Sequence, residues 1–221
     1  MLRTDEITIC TTNKGKIAEF QEIFTNLLEA DLELTLNLKV RKINVDIFKT
    51  LSDKGIYNFD VDETENSYLA NAALKAIAGA KAVQGLALAD DSGIEVFALD
   101  KAPGIYSGRY LRDPERGIDG LLKEMKDIKD RKTRYVCALV LANENGEIIF
   151  QTEKYWYGEL AYEKHGEQGF GFDPIVYPVL DEALGEVDKK RTVAELSSKE
   201  KNSYSHRFKA VKELLNFLNS H

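Results

Sequence analysis

The chain has 221 residues, 43% hydrophobic and 30% charged, an ordinary globular balance with length for one large domain or two small lobes. Its net charge of −7 argues against a broad nucleic-acid surface, which wants a basic face, but leaves room for a local Lys/Arg group that binds one small anion. No run nears the roughly 18 apolar residues that span a bilayer, the N-terminus lacks a signal-peptide layout, and Cys10 and Cys137 lie far apart in apolar runs as free thiols, so a cytoplasmic protein without a membrane partner is expected.

Ile7 to Cys10 reads as a short strand, and Thr11-Thr12-Asn13-Lys14-Gly15-Lys16 as a polar loop. Ile17, Phe20, Phe24, Leu27 and Leu28 then recur at helical spacing. Residues 31–61 are weakly patterned; the alternating apolar positions at Leu32 to Leu38 and Val40 to Ile47 predict strands or an irregular excursion. The acidic stretch 62–67 precedes an Ala-rich helix expected over Tyr68 to Gln84. Next comes an apolar strand that ends in Asp90 and Asp91, followed by Ser92 and Gly93. Pro103-Gly104 marks a turn, Gly117 to Ile128 a helix, and Tyr135 to Leu141 a β-branched strand. Asn145-Gly146 predicts a hairpin into Glu147 to Tyr157. A glycine-rich loop spans His165 to Asp173, and a last helix starts near Ser205 with Phe208, Val211, Leu214, Leu215 and Leu218 on one face. Helices and strands alternate, and the hairpin is antiparallel, so the class is α/β with a mixed sheet.

Five groups of residues carry chemical possibilities. Two acids at the end of a buried strand are costly unless a cation, hydrogen bonds or a raised pKa compensates them. The plain alternative is a polar Asp-Asp-Ser-Gly turn. The loop Thr11 to Lys16 lies between a strand and a helix, where free backbone N–H groups, the helix dipole and Lys14 and Lys16 could cradle a triphosphate; its plain alternative is a capped helix with solvated lysines. Asp62, Glu63 and Glu65 either cap the next helix or reach a cation shared with Asp90 or Asp91. The run from His165 to Pro174 could present an aromatic ring to a base, or plug the core with its phenylalanines. His206 and Arg207 fall in the first turn of the last helix, where cations oppose the dipole and therefore point to an anionic or acceptor-rich ligand.

Taken in order, Thr11-x-Asn13-x-x-Lys16, Ala89 to Val96, Ala102 to Tyr110, Gly169 to Pro174 and Glu200 to Arg207 resemble the Ham1-type inosine triphosphate pyrophosphatase family, also described as XTP/dITP diphosphatases. The resemblance covers nearly the whole chain. It implies a single Ham1-like domain over residues 1–221, with a mixed, twisted sheet and flanking helices in two lobes around a central nucleotide cleft. It implies Mg2+-dependent hydrolysis of ITP, dITP or XTP to the monophosphate and pyrophosphate, by a homodimer. Thr11, Thr12, Asn13, Lys14, Gly15 and Lys16 would hold the phosphates. Asp91 would be general base and magnesium ligand, with Asp90 beside it and either Asp62 or Glu63 completing the metal site. Ser92 would touch the substrate, and Phe170, Gly171, Phe172 and Asp173 would enclose base and sugar, with Phe170 stacking. Lys201, His206 and Arg207 would complete the nucleotide site, the last two donating to the 6-oxo group and N7 of the purine. Thr12, Ala70 and Phe172 depart from the family's usual residues. Two other readings remain: a Maf-like pyrophosphatase for pyrimidine or modified nucleotides, and a nucleotide sensor that does not hydrolyse. The set Asp62, Glu63, Asp90 and Asp91 separates the sensor, because a binder of anions has no use for four acids.

Overall fold

Strand β1 (Ile7–Ile9) leads through four residues into helix α1 (Lys14–Ala30). The computed structural model describes residues 6–30, 47–181 and 185–220. Asn13 caps α1: its Oδ1 accepts the Lys16 N–H at 3.1 Å, while its own N–H donates to Thr11 Oγ1 at 3.2 Å. The expected polar loop Thr11 to Lys16 is thus a loop of three residues followed by the first helical turn. Phe20, Ile23, Phe24 and Leu27 form the buried face of α1, as their spacing predicts.

Strand β2 (Phe48–Thr50) pairs in parallel with β1. The expectation for residues 31–46 falls outside the described residues. Helix α2 (Tyr68–Val83) starts where Ser67 Oγ accepts the Ala70 N–H and ends on Gln84, whose φ of 52° turns the chain out of the helix. Its small residues Ala72, Ala76, Gly79 and Ala80 are buried. Strand β3 (Leu86–Val96) pairs in parallel with β1. It corrects one expectation: the strand neither ends nor turns at Asp90-Asp91-Ser92-Gly93 but runs straight through them for 11 residues.

Short helices α3 (Ser107–Arg112) and α4 (Gly117–Glu124) follow. Helix α4 stops four residues before the predicted Ile128, with Met125 as its C-cap. Strands β4 (Lys132–Ala142) and β5 (Ile148–Leu160) flank the expected turn at Asn145-Gly146, where Gly146 takes a φ of 80°. Strands β6 (Val176–Asp181) and β7 (Glu186–Val187) continue antiparallel, and helices α5 (Ser198–Tyr204) and α6 (His206–Ser220) close the chain. The strand order is β2-β1-β3-β4-β5-β6-β7, so the sheet is mixed, as the sequence indicates. Among the described residues no helix is long and apolar enough to cross a membrane.

The chain forms two units. The first holds residues 1–91, 137–154 and 207–221, around a core that includes Ile7, Ile9, Phe20, Phe24, Leu88, Leu139 and Leu214. The second holds residues 92–136 and 155–206, around Ile94, Val96, Leu121, Trp156, Phe172 and Ile175. Both cysteines are free and buried in the first unit, and burial pushes each thiol up to about 12, so neither is a nucleophile.

Gly79 lets α2 lie against β1, because a Cβ there would fall inside the van der Waals envelope of Cys10 Sγ. Gly79→Ala should therefore lower unfolding stability by about 1–3 kcal/mol through overpacking, against the roughly 1 kcal/mol that alanine contributes to an exposed helix. Urea denaturation measures this, and a stabilised variant would contradict the close approach.

Candidate active site

In a strand, neighbouring side chains point to opposite faces of the sheet. That geometry divides Asp90 from Asp91. Both are buried, at 2% and 5% exposure, and each meets its own set of cations. Asp90 lies on the face of Leu88, toward α1 and the start of α6. Its Oδ2 accepts from Lys16 Nζ at 2.8 Å and from Arg207 Nη2 at 3.4 Å. Arg207 in turn donates to Glu19, also buried. Burial would raise the Asp90 carboxyl, but Lys16, Arg207 and Lys75 outweigh it and hold the acid well below the usual carboxylate range. Glu19 and then Asp90 keep Arg207 charged despite its burial.

Asp91 lies on the other face, with α2. Lys75 Nζ donates to Asp91 Oδ1 at 3.2 Å and to Glu63 Oε1 at 2.8 Å. Burial pushes the Asp91 carboxyl up, and Glu63 adds to this, against the opposing pull of Lys75 and Lys16. Burial favours loss of the Lys75 proton, but Asp91, Asp90 and Glu63 hold the ammonium charged. Asp91 Oδ2 is buried and accepts no hydrogen bond. Of the two acids before α2, the structure brings Glu63 to Asp91, through Lys75, while Asp62 stays exposed.

These residues fit a hard divalent cation. The donors are carboxylate oxygens, Asp91 Oδ2 is a buried acceptor in need of a partner, and an ammonium already sits where Glu63 and Asp91 converge. Among the described residues, no three acids, histidines or cysteines close a metal cage alone. Magnesium suits that arrangement, since it commonly keeps water and takes only one or two protein carboxylates besides phosphate oxygens.

The second unit carries the glycine-rich loop. Asp173 organises it. Its Oδ2 accepts from the Phe170 N–H at 2.9 Å and from Lys201 Nζ at 2.8 Å, and its Oδ1 accepts from the Tyr135 hydroxyl at 3.0 Å. Gly169 is required beside it: its φ is +75°, and a Cβ would collide with the Asp173 carboxylate. The two phenylalanines part company. Phe170 is 37% exposed, with Lys201 Nζ 4.7 Å from its ring centroid. Phe172 is 4% exposed and packs in the core near Tyr110. Its ring plugs the interior and is not presented to a ligand. Gly171 lies between them at a φ of +66°. His206 stacks on Tyr135 at 5.0 Å with the rings 7° apart. Lys201 is placed by α5, whose capping box joins Ser197 and Glu200.

Arg207 pairs with protein carboxylates. Its guanidinium is committed to Glu19 and Asp90 in the first unit, whereas His206 belongs to the second. Thr12, Asn13 and Lys14 are exposed at the start of α1, Thr11, Gly15 and Lys16 are partly covered, and Ser92 is partly covered on β3. Lys75, Glu19 and Tyr135 are not among the site residues expected from the sequence. Two of them carry a signal: Lys75 follows buried Asn71 by four residues, and Glu19 precedes buried Ile23 by four, so each lies on a covered helix face.

The Ham1 family profile matches residues 7–217. The chain is 35% identical over 219 residues to a dITP/XTP pyrophosphatase of Staphylococcus epidermidis, across 97% of this chain and 96% of that one. It is 36% identical over 218 residues to a dITP/XTP pyrophosphatase of Staphylococcus aureus, across 96% of both. Among solved structures, a HAM1 protein from Coxiella burnetii superposes with a TM-score of 0.75 at 33% identity, over 98% of this chain and 99% of that one.

Replacing Arg207 by methionine should cost about 3–5 kcal/mol, because Glu19 loses its buried counter-charge. Thermal or urea unfolding tests this, and a loss under about 1 kcal/mol would mean the network is not buried in solution. Glu200 gives a pH prediction. Its hydrogen bonds from the Ser197 backbone and hydroxyl, and from Arg191, lower its pKa from 4.5 to about 2. A depressed carboxyl contributes stability above its unfolded value, and that contribution is lost as the pH falls through the folded value. Glu200 should therefore titrate near 2 by carbon-detected NMR, with the α5 cap present above pH 4.5 and lost toward pH 2. Glu200→Gln should remove that part of the acid dependence.

Proposed function

This chain belongs to the Ham1 family, and we propose that it hydrolyses non-canonical purine nucleoside triphosphates such as dITP, ITP and XTP to the monophosphate and pyrophosphate, with Mg2+ as cofactor. The observation that carries the reading is the divided acid pair. One buried carboxylate is paired with Lys16 and Arg207, and the other, met by Lys75 beside Glu63, keeps a buried oxygen without a hydrogen bond.

A bound magnesium ion would neutralise phosphate charge and polarise the reacting phosphorus. Asp91 and Glu63 are the residues that would hold it, with Asp90 in support. Asp91 is also suited to orient the attacking water and take its proton, since burial raises its basicity. Lys16 and the N–H groups at the start of α1 would bind the phosphates, because the helix terminus and the ammonium both favour negative charge. Lys75 would join them once released from the two carboxylates it bridges. Asp90 would keep Lys16 and Arg207 oriented. In the second unit, Phe170 offers an exposed face for the purine, while Asp173 holds its loop and Lys201 in place.

Discrimination for a 6-oxo purine would rest on donors such as His206. Adenine presents an amino group where those donors expect an acceptor, and each such mismatch costs about 1–3 kcal/mol, roughly 10- to 100-fold. We further place the enzyme in the cytoplasm as a homodimer; its two free, buried thiols accord with a reducing compartment.

Pyrophosphate release tests the reading directly. The wild-type protein should release pyrophosphate from dITP, ITP and XTP with Mg2+, far more slowly from ATP, and stop with EDTA. Asp91→Asn should lose about 10²- to 10⁴-fold in kcat without a fall in melting temperature. Wild-type turnover in that variant would remove Asp91 as the base.

A further inference from the structure

The segment from Ala102 to Tyr110 stands out in the sequence, yet no step above uses it. In the structure it is fastened at both ends within the second unit. At one end, Ser107 Oγ, 4% exposed, accepts the Ile94 N–H at 2.9 Å and donates to the Gly104 carbonyl at 2.6 Å. Ile94 lies on β3 two residues beyond Ser92. The neighbouring backbone reinforces this attachment: the Val96 N–H donates to the Ala102 carbonyl at 3.1 Å, and Glu95 bridges with Pro103. At the other end, α3 supports the glycine-rich loop. The Tyr110 ring lies 6.5 Å from the Phe172 ring, and a Cβ at Gly171 would stand 3.6 Å from Leu111 Cδ1, in ordinary contact.

One short helix therefore connects the outgoing half of β3 to the loop that presents Phe170. Ser107 is the side chain of that helix that bonds to the strand, beside the backbone contacts of Ala102 and Pro103. Ser107 Oγ takes both available roles at once, accepting from a strand amide and donating to a turn carbonyl. A hydroxyl is the small group that can do both. Without it the Ile94 N–H is a buried donor with no acceptor, a cost that strand and helix would relieve by separating.

We propose that Ser107 is a positioning residue for the hydrolysis, setting the position of the loop Gly169–Asp173 against the strand segment Ser92–Ile94 through α3. The proposal rests on the nucleotide pyrophosphatase reading, and it adds a connection, within the second unit, between the loop that presents Phe170 and the outgoing half of β3.

The test compares Ser107→Ala, Ser107→Thr and Leu111→Ala with the wild type, using dITP and Mg2+, at a temperature where each variant is folded by circular dichroism. Wild-type activity is the control for the functional reading: no pyrophosphate release there overturns that reading, independently of Ser107. With the wild type active, Ser107→Ala should raise KM and lower kcat, for a combined loss of about tenfold or more in kcat/KM, the size expected when one buried hydrogen bond is lost. Ser107→Thr keeps the hydroxyl and should stay within about threefold of wild type. Leu111→Ala disturbs only the loop end of α3, so it should raise KM at least about threefold while kcat holds. A purely structural serine would lower the melting temperature of Ser107→Ala and leave both constants unchanged, and that result overturns the proposal. If Ser107→Ala does not fold, Leu111→Ala decides: an unchanged KM overturns the coupling, and a raised KM at constant kcat supports it.

Discussion

The alternation of side chains along β3 is the constraint on which the rest of the site depends. Two adjacent aspartates in one buried strand do not share a hydrogen-bonded partner, because the pleat directs them to opposite faces, although Lys16 and Lys75 each act on both through space. Each face must therefore supply its own positive charge. On one side, α1 provides Lys16 and the start of α6 provides Arg207. On the other, α2 provides Lys75. An unpaired ionised carboxylate at this depth would cost several kcal/mol, so three helices are held in register with the strand by charge as well as by apolar packing. Glu19 belongs to the same scheme: it balances Arg207, which would otherwise bring more charge than Asp90 needs.

The second unit solves a different problem with one carboxylate. A glycine-rich loop has high conformational freedom, and a recognition surface built on it loses affinity unless the loop is fixed in advance. Asp173 fixes it through an amide, an ammonium and a phenol at once. Because both its oxygens serve protein donors, its contribution to binding is to hold Phe170 and Lys201 in place. The alternation of glycine and phenylalanine follows from the same geometry. Gly169 leaves room for the carboxylate, Phe172 anchors the loop in the core, and Phe170 is left facing outward.

Much of this was legible in the amino-acid order. The apolar spacing in α1, the Ala-rich α2, the Asn-Gly hairpin and the final helix all declare themselves, because each is a local pattern that packing reinforces. The course of β3 is not legible locally. Asp, Ser and Gly are depleted in strands, so Asp-Asp-Ser-Gly looks like a turn. Ladder bonds to neighbouring strands and cations from distant helices override that preference. The segregation of Phe170 from Phe172 and the commitment of Arg207 to Glu19 are likewise tertiary facts. Lys75 was hidden for a simpler reason: a single lysine in a helix reads as solvated until its neighbours on the same face are known to be buried.

The composition of the acid cluster has a kinetic consequence. Around β3 in the first unit, Asp90, Asp91, Glu63 and Glu19 stand against Lys16, Lys75 and Arg207, close to charge balance. Such a cluster projects little field beyond itself, so it does not draw a polyanion in from a distance as a positively charged funnel does. The cluster itself then adds little to the ionic-strength dependence of the encounter with the triphosphate. Salt sensitivity would enter at a later moment, when ammonium groups leave carboxylates for phosphates and the internal ion pairs are exchanged for new ones.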